Sequence, residues 1–224
     1  MTEFSDCGTT FVDFKELLIT NKEIEVLKKL ALKLPREHIS IGDTGDLQNL
    51  FVARVMTDVK EPTVVNQELS NHILRIIESD KVTRFVEKQT GYDGKLKVRR
   101  SGFNYMPEGS TVGLHDDIRT NPNYLFFVSL PICTDYNGGA FYTFHKETKE
   151  KLIYPKQDKL CISSCSIKHG VEKVLSGTRA ALVWFYADVN TPRLNQRDYT
   201  HDPLPKKSAA AKGFDGLLDP QDIL

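Results

Sequence analysis

The residues best placed to do chemistry sit in Leu114-His115-Asp116-Asp117. On an extended stretch side chains alternate between faces, so His115 and Asp117 point one way and Asp116 the other. One imidazole and one carboxylate then share a face, about 7 Å apart along the strand. A second imidazole would complete a set of two His and one carboxylate, which leaves three positions of an Fe(II) ion open. His169 is the candidate. Arg179 follows it, in Ser176-Gly177-Thr178-Arg179-Ala180-Ala181-Leu182. A lone His-x-Asp arises easily by chance in a chain with six His, so its surroundings decide.

The elements that must position these residues fall in two groups. Residues 1–19 read as irregular, with Phe4, Phe11 and Phe14 free to pack. Thr20-Asn21-Lys22-Glu23 reads as a capping box. Ile24, Leu27, Leu30, Ala31 and Leu34 then recur at helical spacing until Pro35. Residues 36–48 read as a loop around Gly42-Asp43-Thr44-Gly45-Asp46. Leu50 to Met56 reads as a strand broken at Asp58 to Pro62. Asn66 is placed to cap a second helix carrying Leu69, Ile73, Ile76 and Ile77. A third, near 80–89, carries Val82, Phe85 and Val86, with Gly91 at its C-terminal cap.

From Lys95 the pattern turns to strands. Leu96, Val98, Phe103 and Tyr105 suggest strands interrupted near Ser101-Gly102, and Pro107-Glu108-Gly109 makes a turn before Val112 to Asp117. Tyr124 to Leu130, Phe141 to Phe144, Leu152 to Tyr154, Leu160 to Cys165, Val171 to Leu175 and Ala180 to Tyr186 follow, with Asn137-Gly138-Gly139 as a turn. Helices first and seven or eight short strands after them predict an α+β fold, an antiparallel sandwich or jelly roll with N-terminal flanking helices. We expect one domain over 1–224: a helical part to about 94, a β core of about 95–189 and a C-terminal arm from about 190.

Composition narrows the class. Lys+Arg and Asp+Glu balance at 30 each, so no basic field draws nucleic acid or anionic membrane. No apolar run is long enough to span a bilayer. Met1-Thr2-Glu3-Phe4-Ser5-Asp6 lacks the basic start and apolar core of a signal peptide, so the expected setting is the cytoplasm. Cys7, Cys133, Cys161 and Cys165 do not form a disulfide framework, and the last two read as small buried side chains on one strand face. His38, His72, His145 and His201 read as ordinary surface or core residues, Trp184 as core, and Arg99 and Arg100 as a solvated strand face rather than contacts to an anionic substrate.

The order Tyr105, His115-x-Asp117, Gly138-Gly139, His169, Arg179, with Trp184 beyond, resembles the Fe(II)- and 2-oxoglutarate-dependent dioxygenases, in particular their prolyl-4-hydroxylase-like branch. The match covers roughly 96–187, and the run from His169 to Leu182 is its most specific part. The resemblance implies a double-stranded β-helix, or jelly roll. It makes His115, Asp117 and His169 the iron ligands, Arg179 the holder of the distal carboxylate of 2-oxoglutarate, and Tyr105 a neighbour of that co-substrate. It implies O2 as oxidant, succinate and CO2 as products, and ascorbate as a candidate reductant. A guanidinium suits a planar two-point hold on a carboxylate, which Lys would not reproduce. Asp117 opposes halogenation, which in the family goes with a small residue there. The chain departs from the protein prolyl hydroxylases at Tyr124-Leu-Phe-Phe-Val-Ser129, so a second contact to the distal carboxylate is left open.

The expected activity is hydroxylation of an unactivated carbon of a small molecule, an amino acid or biosynthetic intermediate. The alternatives are a prolyl hydroxylase acting on a peptide, a non-catalytic jelly-roll binding module, and a zinc or manganese hydrolase or isomerase built on the same ligands. The module predicts a broken triad or a missing Arg. The last has no evident need for Arg179.

Overall fold

Thr20 caps the first helix as its sequence dictates. Its side chain accepts the Glu23 N–H, and the Glu23 carboxylate accepts the Thr20 N–H at 2.7 Å. Helix α1 (Asn21–Lys33) buries Leu27 and Ala31, and α2 (Gln67–Ile77) buries Ile73, Leu74 and Ile77. Helix α3 (Asp80–Thr90) ends at Gly91, whose left-handed backbone closes the last turn. Asn66 does not cap α2 through its side chain. It is itself left-handed, and its amide donates to the Arg54 carbonyl at 3.1 Å.

The computed structural model describes residues 4–191, apart from 5–6, 14–15, 17–18, 60, 146 and 155–158. Phe14, His201 and the expected arm beyond 191 lie outside the described residues.

The described strands form an antiparallel sheet that curls into a jelly roll. They are β1 (Thr9–Val12), β2 (Glu37–Ile41), β3 (Leu47–Asp58), β4 (Pro62–Val64), β5 (Leu96–Pro107), β6 (Thr111–His115), β7 (Phe126–Cys133), β8 (Tyr136–Gly138), β9 (Phe141–Phe144), β10 (Lys151–Tyr154), β11 (Leu160–Ser164), β12 (His169–Val171) and β13 (Val174–Asp188). The order is β1-β11-β7-β13-β5-β3-β6-β12-β9-β10, with β2 and β4 on β3 and β8 on β13. Strand β3 makes the fold close. Its later residues pair with β5, and Gln48 and Asn49 pair with β6, so the two halves face each other across a cavity.

Several expectations need correction. Among the described residues, the first 94 hold four strands beside the helices. Residues 37–41 are not loop: Glu37-His38-Ile39-Ser40-Ile41 alternates and hydrogen-bonds to β3. Residues 9–12 add an edge strand to β11. Strand β3 runs on through Asp58. Strand β5 is not broken at Gly102, and β13 is not broken at Gly177, where φ is +74° and a Cβ would collide with the Asp135 carbonyl. Pairing continues through both positions, Gly102 with Val183 and Arg54 and Gly177 with Tyr136, and outweighs the local preference of Gly for a turn.

A bulge sets which β5 side chains meet the cavity. Phe185 pairs with Arg100 and Tyr186 with Val98, leaving Arg99 as the extra residue. Beyond it Phe103 and Tyr105 face the helices, in one core with Leu27, Ile73, Val86, Leu182 and Trp184. Each such aliphatic side chain, fully buried, contributes roughly 1.5–3 kcal/mol. Arg100, Gly102, Asn104 and Met106 face the cavity instead.

Candidate metal centre and its cavity

His115 ends β6, and the chain stays extended through Asp116 (φ −125°, ψ 145°) before a short 3-10 turn, Asp117–Arg119. The alternation read from the sequence therefore survives, though Asp117 opens a turn rather than continuing the strand. Asp116 points away: it accepts the Arg119 N–H at 3.3 Å, and the Arg119 guanidinium lies 3.4 Å from its carboxylate. The turn is pinned from two sides. The Asp117 N–H donates to the Cys165 carbonyl at 2.9 Å, and its own carbonyl accepts N–H bonds from Thr120 and Asn121 at 3.0 Å.

His169 begins β12 directly opposite His115, with ring centroids 4.4 Å apart. Nδ1 of His115 lies 2.8 Å from the Gly113 carbonyl, and Nδ1 of His169 lies 2.9 Å from the Ile167 carbonyl. A carbonyl only accepts, so in both rings Nδ1 carries the proton and Nε2 presents its lone pair. Those two atoms converge on Asp117: His115 Nε2 is 3.7 Å from Oδ1 and His169 Nε2 is 3.6 Å from Oδ2. All three ligand atoms lie within 4.8 Å of one another.

The donor set fits a divalent metal. Oδ2 of Asp117 is buried and accepts no hydrogen bond within the protein, an arrangement that is costly unless a cation completes it. Burial lowers the pKa of His169, and the neighbouring His115 ring adds to this against the opposing pull of Asp117. The imidazole is thus held neutral, the form a metal needs. Two imidazoles and a carboxylate on one side suit Fe(II). The rings of Phe127 and Phe141 lie 4.9 and 5.6 Å from that of His169 and cover it with apolar surface.

The triad opens into a cavity of about 670 Å³, within the size range of small-molecule sites. Its lining includes Arg179 on β13, beside Met106 Sδ at 3.6 Å. Along β13, Arg179, Ala181, Val183 and Phe185 face inward and span roughly 20 Å of strand. The triad lies toward the Phe185 end, because Phe127 pairs with Phe185 and touches His169.

Tyr105 is not brought to the site. It lies on the helix-facing side of β5, fully buried, with its hydroxyl donating to the Ala31 carbonyl at 2.7 Å and Arg36 over its ring at 4.0 Å. Ser129 lines the cavity; Tyr124 is buried and stacks on Phe185. Arg99 and Arg100 are not a solvated face either. Arg99 is sealed in a pair with Asp58 at 3.0 Å, while Arg100 lines the cavity and meets Asp43 at 2.6 Å.

Sequence reasoning missed the β2–β3 hairpin as a wall of this site. Arg54 lines the cavity and pairs with Glu37. Asp46 Oδ2 lies 3.6 Å from His115 Nδ1 and is itself held by Thr44 and Gln48, so a carboxylate backs one imidazole. The alternation in Glu37-His38-Ile39-Ser40-Ile41 was the available signal, hidden by the Gly- and Asp-rich turn beside it.

No family model matches the chain, and no curated protein does. Solved structures do. An oxidoreductase of the 2OG-Fe(II) oxygenase family from Burkholderia pseudomallei matches with a TM-score of 0.78 and 28% identity, over 88% of this chain and 92% of that one. The non-heme alpha-ketoglutarate-dependent epimerase SnoN of nogalamycin biosynthesis shares the fold at 0.63 and 10% identity, over 83% and 78%. A Pseudomonas putida prolyl-4-hydroxylase shares it at 0.58 and 12%, over 83% and 95%.

Proposed function

We propose that the chain, whose fold and active-site set are those of an Fe(II)- and 2-oxoglutarate-dependent oxygenase, hydroxylates an unactivated carbon of a small molecule, with His115, Asp117 and His169 as iron ligands and Arg179 as the anchor of the 2-oxoglutarate distal carboxylate. Iron and 2-oxoglutarate supply the oxidation, in which R–H, 2-oxoglutarate and O2 become R–OH, succinate and CO2.

The protein's own residues supply position and exclusion. The Gly113 and Ile167 carbonyls fix both imidazoles with Nε2 toward the metal. Asp117 contributes the charge that balances part of a dication. Arg179 stands farther along the same cavity wall, where its fork offers parallel N–H donors to a carboxylate. Phe127 and Phe141 shield His169 and limit water at the reacting end.

The observation that carries the reading is the convergence of two Nε2 atoms on the Asp117 carboxylate, one at each oxygen, with Oδ2 buried and accepting no hydrogen bond. The intact triad and Arg179 oppose the non-catalytic module. A cavity walled by the β2–β3 hairpin favours a small molecule over an extended peptide.

The test is to add 2-oxoglutarate to Fe(II)-loaded protein without oxygen and record the visible spectrum. A weak metal-to-ligand charge-transfer band is expected. Iron bound with no band would remove 2-oxoglutarate and revive the zinc or manganese enzyme; no iron bound would favour the module.

A further inference from the structure

Two adjacent arginines on β5 behave differently, and the difference points to a ligand. Arg99 and Asp58 are both 0% exposed, and Asn121 donates to the same carboxylate at 2.7 Å. That pair is a sealed structural element. Arg100 and Asp43 are 26% and 20% exposed, and Arg54 and Glu37 are 14% and 17% exposed, and all four line the cavity. Ions placed on such a wall lose much of their hydration, so an apolar lining would be the less costly choice.

The four groups form one cluster. Arg54 pairs in register with Gly102, two residues from Arg100 on the same face of β5. Gly102 has no side chain, so none stands between Arg54 and Arg100 on that face. Burial and the Arg100 charge both lower the pKa of Arg54. Arg54 uses its Nε on Glu37 and Arg100 one terminal nitrogen on Asp43, so each fork retains further N–H donors. A carboxylate can accept from more than one N–H donor, so those of Glu37 and Asp43 can be shared.

The cluster also lies on the correct side of the metal centre. Arg100 pairs with Phe185, which pairs with Phe127, the ring against His169. Arg179 lies at the other end of the same face of β13. The co-substrate would occupy the Arg179 side, leaving the Arg100 side for the molecule that is oxidised.

Resting on the oxygenase reading above, we propose that Arg54, Arg100, Glu37 and Asp43 are the substrate subsite, and that the substrate is a small zwitterion of the α-amino acid type. Its carboxylate takes the N–H groups left on Arg54 and Arg100. Its ammonium shares the carboxylates of Glu37 and Asp43. A purely anionic substrate would meet Glu37 and Asp43 as like charges, and a purely cationic one would meet the two arginines.

The test uses the full chain loaded with Fe(II) and 2-oxoglutarate, with the charge-transfer band recorded first. A wild-type protein without that band fails at the oxygenase reading, before this subsite is probed. With the band present, the free protein amino acids are titrated anaerobically by calorimetry and then assayed for succinate release in air. We expect at least one to bind and to stimulate release. Its N-acetyl and its carboxamide forms should each bind about tenfold or more weakly, as when a charge-assisted hydrogen bond is removed. Arg100→Gln should weaken the free acid by a similar factor and leave the carboxamide form unaffected, which separates loss of the carboxylate contact from a general loss of structure. No binding by any free amino acid would overturn the proposal. So would blocked forms that bind as well as the free one, or an Arg100→Gln effect equal on acid and carboxamide.

Discussion

Nε2 of His169 stands 3.6 Å from Oδ2 of Asp117, a buried oxygen that accepts no hydrogen bond. A carboxylate in that state destabilises the metal-free protein, and a bound cation reverses the sign. Fe(II) at a hundred times its dissociation constant should stabilise the wild type by about 2.7 kcal/mol. For a chain of this length that is a rise of roughly 5–10 °C in Tm. Asp117→Ala should lose both the shift and substrate oxidation. Scanning calorimetry under argon checks the first and succinate release the second; a retained shift would mean that the ligand set is wrong.

Arg179→Gln should act on the co-substrate and spare the metal. A charge-assisted hydrogen bond is worth about 1.5–3 kcal/mol, so the 2-oxoglutarate requirement should rise roughly 10- to 100-fold. Arg179→Lys should recover only part of this, because an ammonium is a point charge and not a fork. The check is a 2-oxoglutarate titration of the charge-transfer band beside a metal analysis. Unchanged co-substrate affinity would remove Arg179 from the site.

The pH dependence follows from His169, whose pKa is lowered, first by burial. The unfolded chain keeps an ordinary His value of about 6.5. Between the lowered folded value and about 6.5 the unfolded state binds more protons, so this contribution to stability is complete above about 6.5 and is lost as pH falls through the folded value. Metal binding needs the same neutral ring, so iron retention should fall in the same window. Equilibrium unfolding of the metal-free protein at a series of pH values checks the sign. Stability that rises as pH is lowered below about 6.5 would contradict it.

The triad was legible because alternation in His115-x-Asp117 needs only local geometry, and Asp116 keeps that geometry up to the turn. His169 and Arg179 came with the resemblance, and the cavity contains both. Tyr105 also came with the resemblance, but in this chain it falls on the helix-facing side of β5, past a bulge at Arg99 that depends on the partner strand β13. The same bulge hid Arg100, which reads as solvated until the sheet is seen to be covered on both faces. Glu37, Asp43 and Arg54 were not legible as site residues at all. They reach the cavity only because the β2–β3 hairpin folds across it, a non-local contact that no spacing encodes.

The sealed pair of Arg99 and Asp58 also reaches the metal centre, through Asn121. The Asn121 amide donates to Asp58 at 2.7 Å, and its backbone N–H donates to the Asp117 carbonyl at 3.0 Å. Asn121 thereby ties the turn carrying Asp117 to the sheet. Asp58→Ala leaves the Arg99 charge buried without its carboxylate and should cost about 3–5 kcal/mol, a Tm loss of roughly 6–20 °C. Asn121→Ala keeps that ion pair, so its effect on global stability should be smaller, near 1–2 kcal/mol. Its effect on iron should be larger in proportion, since loss of a group that orients a ligand lowers metal affinity about 10- to 100-fold. Paired measurements of Tm and iron affinity separate the two variants. If Asn121→Ala lowers Tm as far as Asp58→Ala yet binds iron as the wild type does, Asn121 supports the fold and does not position Asp117.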